Sequence, residues 1–164
     1  MSVGLSVFTL FHVVISLAGI LAGFVVVYGL ITAKRLDGWT SVFLWTTVLT
    51  SFTGFFFPFH KLLPSHILGV LSLIALAIAI FARYSRKLAG GWNRTYAITA
   101  VIALYLNVFV LVAQLFMKVP ALKALAPTQT EAPFKVAQLV VLVLFVVLGI
   151  LSAVRFRNAQ LRTA

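Results

Sequence analysis

The chain has 164 residues, of which 63% are hydrophobic and 9% charged, and a formal net charge of +11. A soluble domain carries roughly 25% charged residues, so this composition and a mean hydropathy of +1.16 exclude that class and point to an integral membrane protein. The absence of cysteine excludes disulfides, thiolate nucleophiles, iron–sulfur clusters and thiolate zinc sites.

The first apolar run extends from Val3 to Ala33. Nothing basic precedes it and Lys34-Arg35 follow it, whereas a cleaved signal peptide has a basic start and a shorter core. It is therefore expected to remain as a first span, about 5–33. Counted back from Ala33, the ~20 residues that fill a bilayer end just after His12, which places that histidine near the boundary. Ser16, Gly19 and Gly23 follow at helical spacing, and the small pair Gly19-xxx-Gly23 invites close approach of another helix.

A polar hinge, Lys34 to Gly38, leads to a second span, 39–59, with Trp39 as an interfacial anchor. Thr46, Thr50 and Thr53 align on one face, and Pro58 weakens the helix end. The third span, 65–84, has Ser65 as an expected N-cap after Pro64 and ends in Arg83, Arg86 and Lys87. After the Gly90-Gly91 break comes a fourth span, 95–117, with Tyr96, Ala100, Ala103, Asn107 and Gln114 on one face. Residues 118–133 form an outer connector, with Leu122 and Leu125 expected to dip into the interface. The fifth span, 134–154, carries Gln138, Phe145, Gly149 and Ser152 on one face, and a basic tail follows.

The basic residues stand at the ends of these runs, where orientation signals and headgroup contacts belong. They form no continuous face that would track a phosphate backbone, which argues against nucleic acid. Lys34, Arg35, Arg83, Arg86, Lys87, Arg94, Arg155, Arg157 and Arg162 fall on one side of five spans. Only Lys61, Lys118, Lys123 and Lys135 fall on the other. The positive-inside bias puts the amino terminus outside and the carboxyl terminus inside. No internal repeat is visible, which disfavours an inverted-repeat transporter.

This topology gathers His12, His60, His66, Gln114, Gln138 and Glu131 at or near the outer boundary. The stretch Gly54 to Gly69 holds two of the three histidines around a prolyl turn. Two readings stand. In one, His12, His60 and His66 are metal or haem ligands, since neutral imidazole suits zinc, copper, nickel and iron. Asn107, Gln114 and Gln138 then support the bound group by hydrogen bonds, and Phe55, Phe56, Phe57 and Phe59 form a rim for a porphyrin or a quinone. In the other, these residues are ordinary interfacial groups satisfied by water. Asn107 has the same duality: interhelical glue, worth about 0.6–2 kcal/mol, or part of a polar cavity with Gln114.

No Asp or Glu lies inside a span and no Lys lies mid-span, which disfavours a carboxylate proton relay and excludes a retinal Schiff base. A Ser-His-acid set would have to use Glu131, and no spacing supports it.

The sequence is thus expected to form an all-α integral membrane bundle of five transmembrane helices, a single domain over 1–164. It resembles small bacterial inner-membrane proteins, a likeness that carries no functional residues. The expected role is a non-catalytic subunit or accessory protein that packs in the lipid bilayer as a homo-oligomer or within a larger complex. The alternatives are the outward-facing histidine site and a small-solute carrier using the Asn107–Gln114 face.

Overall fold

The computed structural model describes residues 3–58 and 64–163, the last six by backbone alone. Among the described residues every regular element is helical. The order is α1 (Val3–Ile31), α2 (Asp37–Thr53) with a 3-10 turn at Gly54–Phe56, then α3 (Pro64–Ile80) with a π turn at Phe81–Ser85. These are followed by α4 (Trp92–Lys118), the short α5 (Pro120–Leu125) and α6 (Ala132–Thr163).

Among the described residues, four helical stretches are long and apolar enough to cross a membrane: Val3–Ile31, Pro64–Ser85, Trp92–Lys118 and Ala132–Arg157. The second expected span is shorter than the sequence suggests. Its α-helix stops at Thr53, and Phe57 is extended (φ −69°, ψ 138°), because the residue before a proline is pushed out of the helical region. Another boundary also differs. α3 already includes Pro64, so Ser65 lies within its first turn instead of capping it, and proline is well tolerated at a helix start.

Packing follows the small residues. A Cβ added at Gly19 would lie 2.9 Å from Thr46 Oγ1 and 3.2 Å from Thr47 Oγ1. At Gly23 it would lie 2.5 Å from Leu104 Cδ1 and 3.0 Å from Phe43. The Gly19/Gly23 face therefore lets α1 approach α2 and α4 at once, the small-residue logic of membrane helix packing. α4 touches α1, α2, α3, α5 and α6 and forms the centre of the bundle, with Tyr96, Ala97, Ala100, Val101, Ala103 and Leu104 all buried.

The connection from α1 to α2 is a Schellman close. Lys34 N–H donates to Gly29 O (2.8 Å) and Ala33 N–H to Leu30 O (3.4 Å), with Ala33 left-handed at φ 61°. This pattern satisfies the last carbonyls of the helix. Gly29 is required there, since a Cβ would meet Lys34 O at 3.0 Å and Leu36 Cδ1 at 2.9 Å. At the end of α3, Arg86 N–H reaches Phe81 O (3.0 Å) and Leu88 N–H reaches Ala82 O (3.0 Å). The widened turn carries Leu88 into the core and Arg83 into the bundle.

Candidate functional site

At the end of the bundle where α1 begins and α2 ends, His12 and Thr53 join the two helices through Nδ1 and Oγ1, 2.8 Å apart. Thr53 Oγ1 also donates to Leu49 O at 2.6 Å. A hydroxyl has one proton to give, so the Leu49 bond makes His12 Nδ1 the donor to Thr53. In the neutral ring this leaves Nε2 unprotonated. Phe57 meets the His12 ring edge-on at 5.0 Å, and Phe8 in turn contacts Phe57 at 5.0 Å.

His66 lies in the first turns of α3, buried, with its ring 5.8 Å from Phe55. Phe55 itself rests on Gly69, where a Cβ would meet the ring at 3.1 Å. The aromatic run after α2 is thus divided: Phe55 covers His66, Phe57 covers His12, and Phe56 is exposed. Phe59 and His60 lie outside the described residues. Among the described residues no three His, Cys, Asp or Glu side chains form a group that could hold a metal ion.

One turn along α1 from His12, Ser16 Oγ donates to Asn107 Oδ1 on α4 at 3.4 Å. Asn107 is buried, and its Nδ2 has no hydrogen-bond partner. Gln138 on α6 donates through Nε2 to Phe109 O on α4 at 3.1 Å, leaving its buried Oε1 unpartnered. Gln114 is half-buried on α4. Between α2 and α3, Ser51 Oγ donates to Ser72 Oγ at 3.0 Å. These four bonds join four different pairs of helices: α1 with α2, α1 with α4, α6 with α4, and α2 with α3.

Past Lys118, Gln129 Nε2 donates to Ala113 O at 2.7 Å and ties the connector down onto α4. Leu122 is half-buried and Leu125 exposed, while Ala126 is fully enclosed. Glu131 accepts from Thr128 Oγ1 (2.8 Å), Thr128 N–H (3.2 Å) and Thr130 N–H (3.1 Å). The Thr128 hydroxyl bond is the main reason that this carboxyl is held below the usual carboxylate range.

The opposite end holds an arrangement that the residue pattern does not announce. Arg83, which reads as a terminal interface charge, is folded inward with its side chain only 6% exposed. It pairs with Asp37 at the start of α2 and lies over the rings of Tyr96 (5.4 Å) and Tyr84 (5.7 Å). Arg35 shares the same carboxylate at 3.5 Å. A cavity of about 10 Å³ sits among Thr40, Arg83, Tyr96 and Phe156, room for roughly one water. The available signal was charge arithmetic. Asp37 is the chain's only acid apart from Glu131, and an apolar bundle that takes in an arginine must supply a counter-charge.

No protein-family model matches the chain, and no curated protein or solved structure matches it at a significant level.

Proposed function

We propose that this is a non-catalytic accessory subunit of a larger membrane assembly, a five-span protein of the bacterial cytoplasmic membrane with its amino terminus outside. One observation carries the accessory role. Val136, Val140, Val143 and Val147 form a stripe on α6 at alternating four- and three-residue spacing, and all are exposed. That spacing is the seam by which one helix packs on another. The small-residue face of α1, by contrast, is used inside the chain against Thr46, Thr47 and Leu104, so the α6 stripe is the surface this reading assigns to a partner helix. The pairing of His12 with Thr53 and of Ser16 with Asn107 supports a structural role for the polar groups.

α2 completes the count of five. Its 17 residues and the three of the following 3-10 turn reach about 31 Å at ~1.5 and ~2.0 Å per residue, the depth of a hydrocarbon core. The orientation rests on the excess of Lys and Arg around the α1–α2 and α3–α4 turns and the tail. Since the chain lacks cysteine, single-cysteine variants test it. Lys118→Cys should react with an impermeant maleimide in intact cells and Arg157→Cys only after lysis.

The accessory role is tested by co-purification in mild detergent. A partner should be retained when His12, His60 and His66 are jointly replaced by Asn, and lost with Val143→Trp. Loss with the histidine variant and retention with Val143→Trp would refute it.

A second reading has one observation in its favour. The Thr53 bond takes up His12 Nδ1–H, which in the neutral ring leaves Nε2 unprotonated, the arrangement in which an imidazole ligates a metal or haem iron while its other nitrogen is held by a hydrogen bond. It would be a redox or metal-handling site with a quinone as partner. Absorption spectra of oxidised and dithionite-reduced protein, with elemental analysis, decide for or against it.

A further inference from the structure

An open groove of about 490 Å³ runs between α4 and α6 on the outer surface of the bundle, within the ~300–1,000 Å³ range of ligand sites. Its floor is Val101, Phe145 and Ala153, all buried, and its width comes from Gly149, whose absent side chain leaves only Val101 opposite. Toward one end the Tyr105 and Phe145 rings meet at 5.6 Å, with Leu106 and Leu142 also in the lining. The other end opens at Arg94.

Length says what fits. From Arg94 to Tyr105 along α4 is about 17 Å at ~1.5 Å per residue, close to the ~15 Å that one leaflet contributes to a ~30 Å hydrocarbon core. That is the length an acyl chain of one leaflet takes up.

Charge says which lipid. Arg94 is exposed in the first turn of α4, and Arg155 and Arg157 are exposed at the same end of α6, flanking Phe156, which packs on Tyr96 at 6.1 Å. Both acids of the chain are engaged elsewhere: Asp37 with Arg35 and Arg83, and Glu131 with Thr128 and Thr130. Arg94 has no acidic partner among the described residues and is exposed, so its guanidinium is available to an anion from outside the bundle.

We infer that this groove is a binding site for an anionic phospholipid of the adjacent leaflet, with one acyl chain along Val101 and Gly149 and the phosphate at Arg94. The inference requires membrane insertion only and is independent of the accessory role. The phosphate gains the guanidinium's charge and planar donor fork at a helix start that has no side-chain cap, where Trp92 N–H is already bonded to Ala89 O and the next amides, of Asn93 and Arg94, face the same end. The acyl chain follows the apolar lining from Arg94 past Gly149 toward the Tyr105–Phe145 ring pair.

The test uses the full chain, delipidated in detergent, then reconstituted in vesicles of equal phosphatidylglycerol and phosphatidylcholine. After re-extraction, retained lipid is counted by native mass spectrometry. The wild-type chain should keep about one phosphatidylglycerol, preferred about fivefold for one arginine near the surface. Arg94→Gln, a surface change, should abolish that preference. Gly149→Phe should expel both lipids with helix content unchanged by circular dichroism. Equal retention of the two lipids by the wild type, or an unchanged preference in Arg94→Gln, would overturn the site. A groove filled by a second copy of the chain, seen as a dimer that Gly149→Phe splits, would overturn it as well.

Discussion

Asp37 and Arg83, 46 residues apart, pair at the end of the bundle where α2 begins and α3 turns into its π segment. The arginine is almost wholly enclosed, with its side chain 6% exposed, while the carboxylate is 64% exposed. Removing one member of a buried pair costs about 3–5 kcal/mol because the other charge is stranded. Here water still reaches Asp37 and screens part of the interaction, so Asp37→Asn should cost about 1–3 kcal/mol. Pairing it with Arg83→Met should recover most of that loss in a detergent unfolding titration. A double variant whose loss is the sum of the two single losses would show that the residues do not act together.

Close packing at Gly23 gives a second expectation. A methyl group there falls 2.5 Å from Leu104 Cδ1 and 3.0 Å from Phe43. Gly23→Ala should lower stability by about 1–3 kcal/mol, the usual range for overpacking. Combination with Leu104→Ala should return part of it. Gly38 on α2, where an added methyl group would meet nothing within 4 Å, is the control: Gly38→Ala should be neutral or stabilising by up to about 1 kcal/mol. Equal losses at both glycines would mean that α1 is not seated as described.

Asn107 tests the interhelical hydrogen bonds. Its Oδ1 accepts from Ser16 across the α1–α4 contact, and bonds of this kind are worth about 0.6–2 kcal/mol in a membrane. Asn107→Leu should lower stability by that amount and leave bound-ligand content unchanged. A loss of bound ligand with stability preserved would reassign Asn107 to a binding site.

These three cases also show what the sequence makes legible. The apolar runs, the Gly19/Gly23 face and the burial of Asn107 all follow from patterns within one helix. Which helix each polar group meets does not. Nothing in the order of residues says that His12 finds Thr53 instead of His66, or that Ser16 rather than Gln114 reaches Asn107. The inward turn of Arg83 was hidden for a related reason. It depends on a π segment that rotates the helix end, and no periodicity announces such a turn. The early end of α2 was legible in principle, since Pro58 constrains Phe57. His60 lies outside the described residues, so its part in any histidine grouping rests on sequence alone.

The connector offers a pH test. The Thr128 hydroxyl lowers the pKa of Glu131, and a carboxyl depressed in the folded state adds stability above its unfolded value, ~4.3 for a free glutamate. That contribution is lost as pH falls through the lowered folded value. Exchange protection of the Thr130 amide, which donates to Glu131 at 3.1 Å, should therefore persist at neutral pH and disappear in acid below the free-glutamate range. Thr128→Val should move the loss to higher pH. Protection with the same pH midpoint in both proteins would contradict the assignment of the shift to the hydroxyl.

If the polar groups of this bundle serve its own packing while α6 offers a seam to a partner, the complex drawn from its own membrane in mild detergent should reveal it. A native mass spectrum of that complex is the most direct measurement. The expected result is a fixed stoichiometry with a second polypeptide and no added mass of haem or metal on this chain. A chain that flies alone, carrying one haem or one transition metal, would contradict it and make His12 the place to begin.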